Sequence, residues 1–404
     1  MSVDLRTRWD DEVVSVDPDD FFDRTLPDLF ATHRELLETA AHLDLRPMTV
    51  VVGERRWTLA RTGANAPTPG GVHVVAAEPG DEPAPVEVHL TPGQVVDLVT
   101  DQVTPIGLMT GGTLEQTRGR IGRLLDWWLV LRCVLDDTPI HTAGSVNLPD
   151  DLSRRFTIDD DPAELRAFLE AAGFLHLRGV FTEAEMERVS DEMDAAAPGY
   201  RPDDGESWWA TVADGTRRVV RMQRFEERSS AAAALLEDPR FRAIGELMGE
   251  GHTVAWSDRN RIEALYKPIG VTHGISDVPW HKDCSLGRHS YECCMLTVGI
   301  SVSGADETSG QLRVIAGSHR ALVWPSLLDT TQLDLPDIAL ATETGDVTVH
   351  LSCTLHMAQP PTERERRVLY TGFGLPPRDA EAAAAASHRL AVAAREAAPL
   401  NTSQ

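Results

Sequence analysis

Between residues 20 and 44 apolar side chains recur at helical spacing: Phe22, Leu26, Leu29, Phe30, Leu36, Leu37, Ala40 and Ala41. This pattern predicts a helix with one buried face. Short strand-like runs follow at 48–52, 55–61, 71–77 and 86–90, separated by the turn-rich stretches TGANAPTPGG and EPGDEPAP. Thr91 and Pro92 open a capped helix, and RGRIGRLLDWWLVLRCVLD predicts another over 118–136. Residues 137–156 lack any period. A second series then begins, with a helix, the strand FLHLRGV, and a helix that Thr182 caps with Glu185 three residues on. Beyond a polar, Trp-bearing stretch come the runs RRVVRMQRF, RIEALYKP, ECCMLTVGISV, QLRVIAG, DVTVHLS and RRVLYTGF. The alternation predicts an α+β chain: a smaller unit over 18–140, a linker over 141–155, a β-rich domain over 156–378 and an Ala-rich helical tail over 379–404.

Composition narrows the classes. The 404 residues are 42% hydrophobic, enough for packed cores. A formal net charge of −25 argues against general affinity for nucleic acid, which wants a basic face. No run approaches the length of a membrane span. The five cysteines include no C-x-x-C pair, so spacing argues against a disulfide framework or a structural zinc site. With no secretory signal pattern at the N-terminus, the reading is a cytoplasmic, reducing location.

Two H-x-D pairs stand out. His42 and Asp44 fall in the helical pattern, where residues two apart point about 200° apart and cannot share an ion. His281 and Asp283, in PWHKDC, fall where a loop meets the strand region. In extended chain such residues share a face. Histidine nitrogen with a carboxylate suits iron(II) and manganese, and a second histidine completes a facial set with open positions.

Taken in order, WHKD, SGQLRVIAGSHR, GDVTVHLSCTLHMAQPP and RERRVLYTGF resemble the phytanoyl-CoA dioxygenase family of iron(II)/2-oxoglutarate oxygenases over roughly 156–376. The matching positions are Gly310, Leu312, Val314, Gly317, Ser318 and His319, then Gly345, Asp346 and His356. The resemblance implies a double-stranded β-helix (jelly-roll, cupin-like) domain. It implies iron(II) held by His281, Asp283 and His356, with His350 the rival to His356, and His319 structural. It implies 2-oxoglutarate and dioxygen as cosubstrates, with Arg366 on the far carboxylate of 2-oxoglutarate, because a planar fork matches a carboxylate. Arg367 would face the other way. Thr297 is a candidate for the cosubstrate, and Gln223, Lys267 and Trp280 for a small-molecule substrate. Residues 201–216 are a candidate lid. Ala358 stands where many relatives carry serine, which puts one cosubstrate contact in doubt. Asp283 is intact, unlike in related halogenases. The implied reaction is hydroxylation of an aliphatic C–H of a small molecule, apolar metabolites and natural-product intermediates included, with release of succinate and carbon dioxide. Desaturation, ring formation and epimerisation at the same site are the alternatives, and a lipid-binding protein with an inactive β-domain is a third.

The N-terminal order, through VEVHL, PGQVVDLVTDQV and LMTGGTLEQTRGRIGRLL, looks like sterol carrier protein type 2 domains. That resemblance implies an apolar ligand as a candidate occupant of this unit. The run WWLVLRCVL is a candidate tunnel lining, with plain core as its other reading.

Overall fold

The computed structural model describes residues 15–375, apart from 62–70, 79, 250–252, 255–260, 275–276, 287–292, 294 and 327–332. The Ala-rich tail expected from 379 lies outside the described residues.

The N-terminal unit is built on a five-stranded sheet in the order Val72–Ala76, Arg55–Arg61, Met48–Val52, Val86–His89, Glu115–Arg118. Met48–Val52 pairs in parallel with Val86–His89, and the other pairings are antiparallel. The single helix expected over 20–44 is broken. A wide turn over Phe21–Thr25 leads into the helix Leu26–Thr32, and Leu36–His42 closes as a 3-10 helix. Pro27 has no N–H to continue the ladder, which accounts for the wide turn before it, while the chain leaves the helix at 33–35. Thr91 caps Pro92–Val99 through a reciprocal pair with Gln94. Ile121–Leu135 is apolar nearly all round, so it runs through the core. There Trp127 and Trp128 are buried with Phe22, Trp57 and Leu129. The WWLVLRCVL run is thus packed core.

The C-terminal domain pairs two antiparallel sheets. The larger runs Val271–His273, Ser207–Val212, Arg217–Met222, Glu263–Lys267, Arg366–Gly374, Leu296–Ser301, Val347–Leu351, Phe174–Leu177, with Thr253–Val254 beside 366–374. The smaller runs Asp337–Leu340, Leu312–Ile315, His356–Ala358. This is a double-stranded β-helix. The large sheet is buried on both faces, and its alternation sorts them. Val298, Ile300, Val347, Val349 and Leu369 join the core with Met186, Val189 and Met193 of the helix Glu183–Ala196. Register places Thr297, Gly299 and Ser301 beside His350, Thr348, Tyr370 and Val368 on the other face. A buried face rich in polar groups, turned toward the small sheet, is where the site sits.

Two motif residues have structural work. Gly345 takes φ +86°, and a Cβ there would stand 1.9 Å from the Phe181 carbonyl oxygen. Asp346 beside it accepts from His176 Nε2 (2.8 Å) and from the Gly179 amide (2.8 Å), tying strand Val347–Leu351 to strand Phe174–Leu177.

One expectation is corrected. Residues 201–216 are not a free lid: Ser207–Val212 is a strand that turns directly into Arg217–Met222. The aromatic and β-branched run SWWATV carries strand propensity that the surrounding polar residues mask. The linker expected over 141–155 begins beside the C-terminal domain. Ile140 bridges Leu322, and the His141 amide donates to the Leu322 carbonyl (3.1 Å).

The two units are firmly joined. Trp324 Nε1 donates to Asp126 Oδ1 (3.2 Å) on the helix Ile121–Leu135. The short helix Pro105–Thr110 packs on the turn Asp283–Leu286. Burial pushes the Asp126 carboxyl up from 3.8 to about 6, against the pull of Arg123. Its folded value lies above its unfolded one. Its contribution to stability is therefore complete below 3.8 and lost as pH rises through about 6. The melting temperature of the wild type is expected to fall more steeply between pH 5 and 7 than that of Asp126→Asn, measured by thermal scans at both values.

Candidate metal and cosubstrate site

His281 and His356 are brought together by backbone. The His281 amide donates to the His356 carbonyl (3.0 Å) and the His356 amide to the His281 carbonyl (2.9 Å). This reciprocal pair adds residue 281 to the edge of the small sheet. Directly opposed residues of an antiparallel pair project to the same side, and the two rings stand 4.3 Å apart between centroids. After His281 the chain turns into Asp283–Leu286, which swings the carboxylate back onto the rings. Asp283 Oδ1 lies 3.3 Å from His281 Nε2 and 3.5 Å from His356 Nε2. Within this trio, one ligand atom of each residue lies within 4.8 Å of the other two.

The ring tautomers follow from the outer contacts. His281 Nδ1 is 2.7 Å from the Pro279 carbonyl oxygen, and His356 Nδ1 is 3.0 Å from that of Thr354. A carbonyl only accepts, so each Nδ1 carries the proton and each Nε2 turns a lone pair inward. Burial, then the neighbouring His350, pushes the His356 ring well below the usual histidine range. Burial raises the Asp283 carboxyl, but the rings of His356, His281 and His350 outweigh it and hold the group well below the usual carboxylate range. Neutral imidazole and ionised carboxylate are the states that metal ligation needs.

Arg366 lies on the same interior face, opposite Lys267 in the sheet. It is 4% exposed. One terminal nitrogen donates to the Gly310 carbonyl (2.6 Å) and the other contacts the Tyr370 hydroxyl (3.3 Å), while Nε is buried with no partner. Among the described residues no carboxylate lies within ion-pair distance of it. Arg367 faces the other way and pairs with Asp194 (2.8 Å). A cavity of about 10 Å³ between the sheets is lined by Gly299, Ser301, Thr348, Arg366 and Val368, with Leu312 and Leu340 from the small sheet.

The remaining candidates are distributed differently. Thr297 Oγ donates to Asp283 Oδ2 (2.7 Å), a bond that orients the carboxylate. Lys267 is buried 3.5 Å from Asp277, and burial lowers its amine to about 8. Gln223 donates to Glu263 (3.2 Å), which also pairs with Arg221. Trp280 packs with Ile315, Ala321, Val323 and Leu355 in a small apolar cluster. His319 Nε2 bonds the Glu170 carbonyl (3.0 Å) and is structural.

His350 is the residue whose place the motifs do not convey. Its ring stacks 4.2 Å from that of His356, and its Nε2 is 3.6 Å from Asp283 Oδ2. The period-2 pattern of DVTVHLS carries the signal, since Thr348 and His350 alternate with Val347, Val349 and Leu351.

The family model described as phytanoyl-CoA dioxygenase (PhyH) matches residues 169–368. No curated protein matches the chain. Similar solved structures include AviO1 from Streptomyces viridochromogenes Tue57, at 18% identity and TM-score 0.43, over 54% of this chain and 96% of that one. They also include the epimerase SnoN in complex with Fe3+, alpha ketoglutarate and nogalamycin RO, at 19% identity and TM-score 0.41, over 53% and 84%. A third is EctD from S. alaskensis with 2-oxoglutarate and 5-hydroxyectoine, at 17% identity and TM-score 0.44, over 58% and 86%. Residues 169–368 thus form a phytanoyl-CoA dioxygenase domain, and the chain is an iron(II)- and 2-oxoglutarate-dependent oxygenase.

Proposed function

We propose that His281, Asp283 and His356 hold the iron(II), that Arg366 receives the far carboxylate of 2-oxoglutarate, and that the chain hydroxylates an aliphatic C–H of a small molecule. The observation that carries this reading is Arg366: a buried guanidinium with an unpaired Nε, on the interior face of the large sheet that also carries His350, whose ring lies against His356. An always-charged group buried without a counter-ion is costly, so the site is built for an anion. The donor set, two neutral imidazoles and one carboxylate, suits iron(II) and leaves positions open.

When bound, iron(II) and 2-oxoglutarate supply the oxidation: dioxygen is consumed, 2-oxoglutarate leaves as succinate and carbon dioxide, and one oxygen atom enters the substrate. The protein's own part is placement. The Pro279 and Thr354 carbonyls lock the two rings with Nε2 inward. Thr297 holds Asp283 Oδ2 and leaves Oδ1 toward the histidines. The Arg366 cavity has the volume of about one water, so a dianion entering there has to displace the side chains that line it. Beyond Arg366 the same face carries Lys267, Glu263 and Arg221. These groups favour a substrate with polar or charged substituents over a wholly apolar one. An intact Asp283 favours oxygen insertion over halide transfer. Desaturation, ring formation and epimerisation use the same residues and differ in where the substrate places its hydrogens.

His281→Ala is expected to abolish iron(II) binding and 2-oxoglutarate-dependent succinate release, while His42→Ala leaves both unchanged, in equilibrium dialysis and a succinate assay. Wild-type activity persisting in His281→Ala would contradict the assignment. Thr297→Val removes the bond that orients Asp283, and is expected to weaken iron(II) binding by about 10-fold or more, read in the same dialysis.

A further inference from the structure

Three thiols meet behind the Asp283 turn. Cys284, Cys293 and Cys353 are buried and, among the described residues, in no disulfide. Their sulfurs all lie within 4.8 Å of one another, and Cys284 and Cys293 are 3.6 Å apart. Met295, another sulfur-bearing side chain, packs against them. The spacing of these cysteines along the chain, with no C-x-x-C, hides the cluster. It forms because the turn after Asp283, the approach to strand Leu296–Ser301 and the end of strand Val347–Leu351 converge.

We propose that Cys284, Cys293 and Cys353 form a second metal site, for a thiophilic closed-shell ion such as zinc(II) or copper(I), set back to back with the iron triad. The dimensions suit it. Metal–sulfur bonds of about 2.3 Å in a trigonal arrangement put the sulfurs about 4 Å apart, inside the observed spread. The softness suits it too, because thiolate and thioether neighbours select these ions over iron(II) or magnesium. Binding forms three metal–sulfur bonds, and the three thiol protons leave to solvent. Three thiolates around a divalent ion carry one net negative charge. The neighbouring Lys282 side chain is fully buried and donates to the Ser318 (2.9 Å) and Ala321 (3.4 Å) carbonyls, a cation held in the interior beside the turn that carries Cys284.

The two sites share backbone. Cys284 follows Asp283, and its amide donates to the Ser352 carbonyl (3.3 Å). Ser352 Oγ contacts Thr297 Oγ (3.1 Å), which holds Asp283. Cys353 precedes Thr354, whose carbonyl fixes His356.

The proposal stands apart from the oxygenase reading, and the test separates them. The full chain, reduced and metal-free, is titrated anaerobically with cadmium(II), following the ultraviolet cadmium–thiolate charge-transfer band that a histidine–carboxylate site does not produce. The band is expected to saturate at one equivalent in wild type, in His281→Ala and in Cys133→Ala. It is expected to be lost or reduced by at least a third in Cys353→Ala and Cys293→Ala, each first shown to be folded by circular dichroism. Zinc(II) and copper(I) are then added as competitors, and the one that displaces cadmium is the preferred ion. No thiolate band in wild type, or a full band in the folded Cys353→Ala or Cys293→Ala protein, overturns the proposal.

Discussion

The reciprocal hydrogen-bonded pair between His281 and His356 is the constraint on which the rest of the site depends. It fixes two side chains to one side of a sheet edge by backbone alone. The rings then need only their Pro279 and Thr354 acceptors to present Nε2 inward. The turn after His281 returns Asp283 to the same point, and Thr297 holds it there. Nothing in this arrangement depends on a long flexible side chain, which is how a site keeps its geometry while its ligands exchange.

The large sheet supplies the complement. Its alternation puts one row against the helices and one row into the interior. The interior row carries Arg366, Lys267 and His350, groups that are expensive to bury and stay buried because each faces a charged or polar task. The N-terminal unit is part of this frame, not an appendage. Through Trp324 and Asp126 it grips the segment over 321–326, and that segment in turn bridges His281 at Ser326. Strain at the joint between the units is thus one short segment away from a candidate ligand.

Much of the fold was legible because it rests on local rules. Strand runs with period-2 alternation, the Thr91 and Thr182 caps and the apolar Ile121–Leu135 helix are all written in neighbouring residues. The break at Pro27 and the hairpin strand Ser207–Val212 were misread because polar and apolar content pointed one way and backbone chemistry the other. For the candidate site, spacing alone marked His281 and Asp283, and family resemblance marked His356 and Arg366. What spacing does not convey is register. That Thr297 meets Asp283, that His350 stacks on His356 and that three distant cysteines converge are consequences of which strands pair and by how many residues. Trp280 shows the converse: adjacent to a candidate ligand in sequence, it packs in an apolar cluster.

The most direct measurement is the visible spectrum of the iron(II)-loaded chain under anaerobic conditions as 2-oxoglutarate is added, compared between wild type, Arg366→Ala and Arg367→Ala. The account predicts a visible charge-transfer band in wild type and Arg367→Ala. In Arg366→Ala iron(II) still binds, but half-saturation needs about 100-fold more 2-oxoglutarate, the loss expected for a buried charge-assisted pair. A band that forms equally well in Arg366→Ala, or no band in a wild-type chain that has bound iron(II), would contradict it.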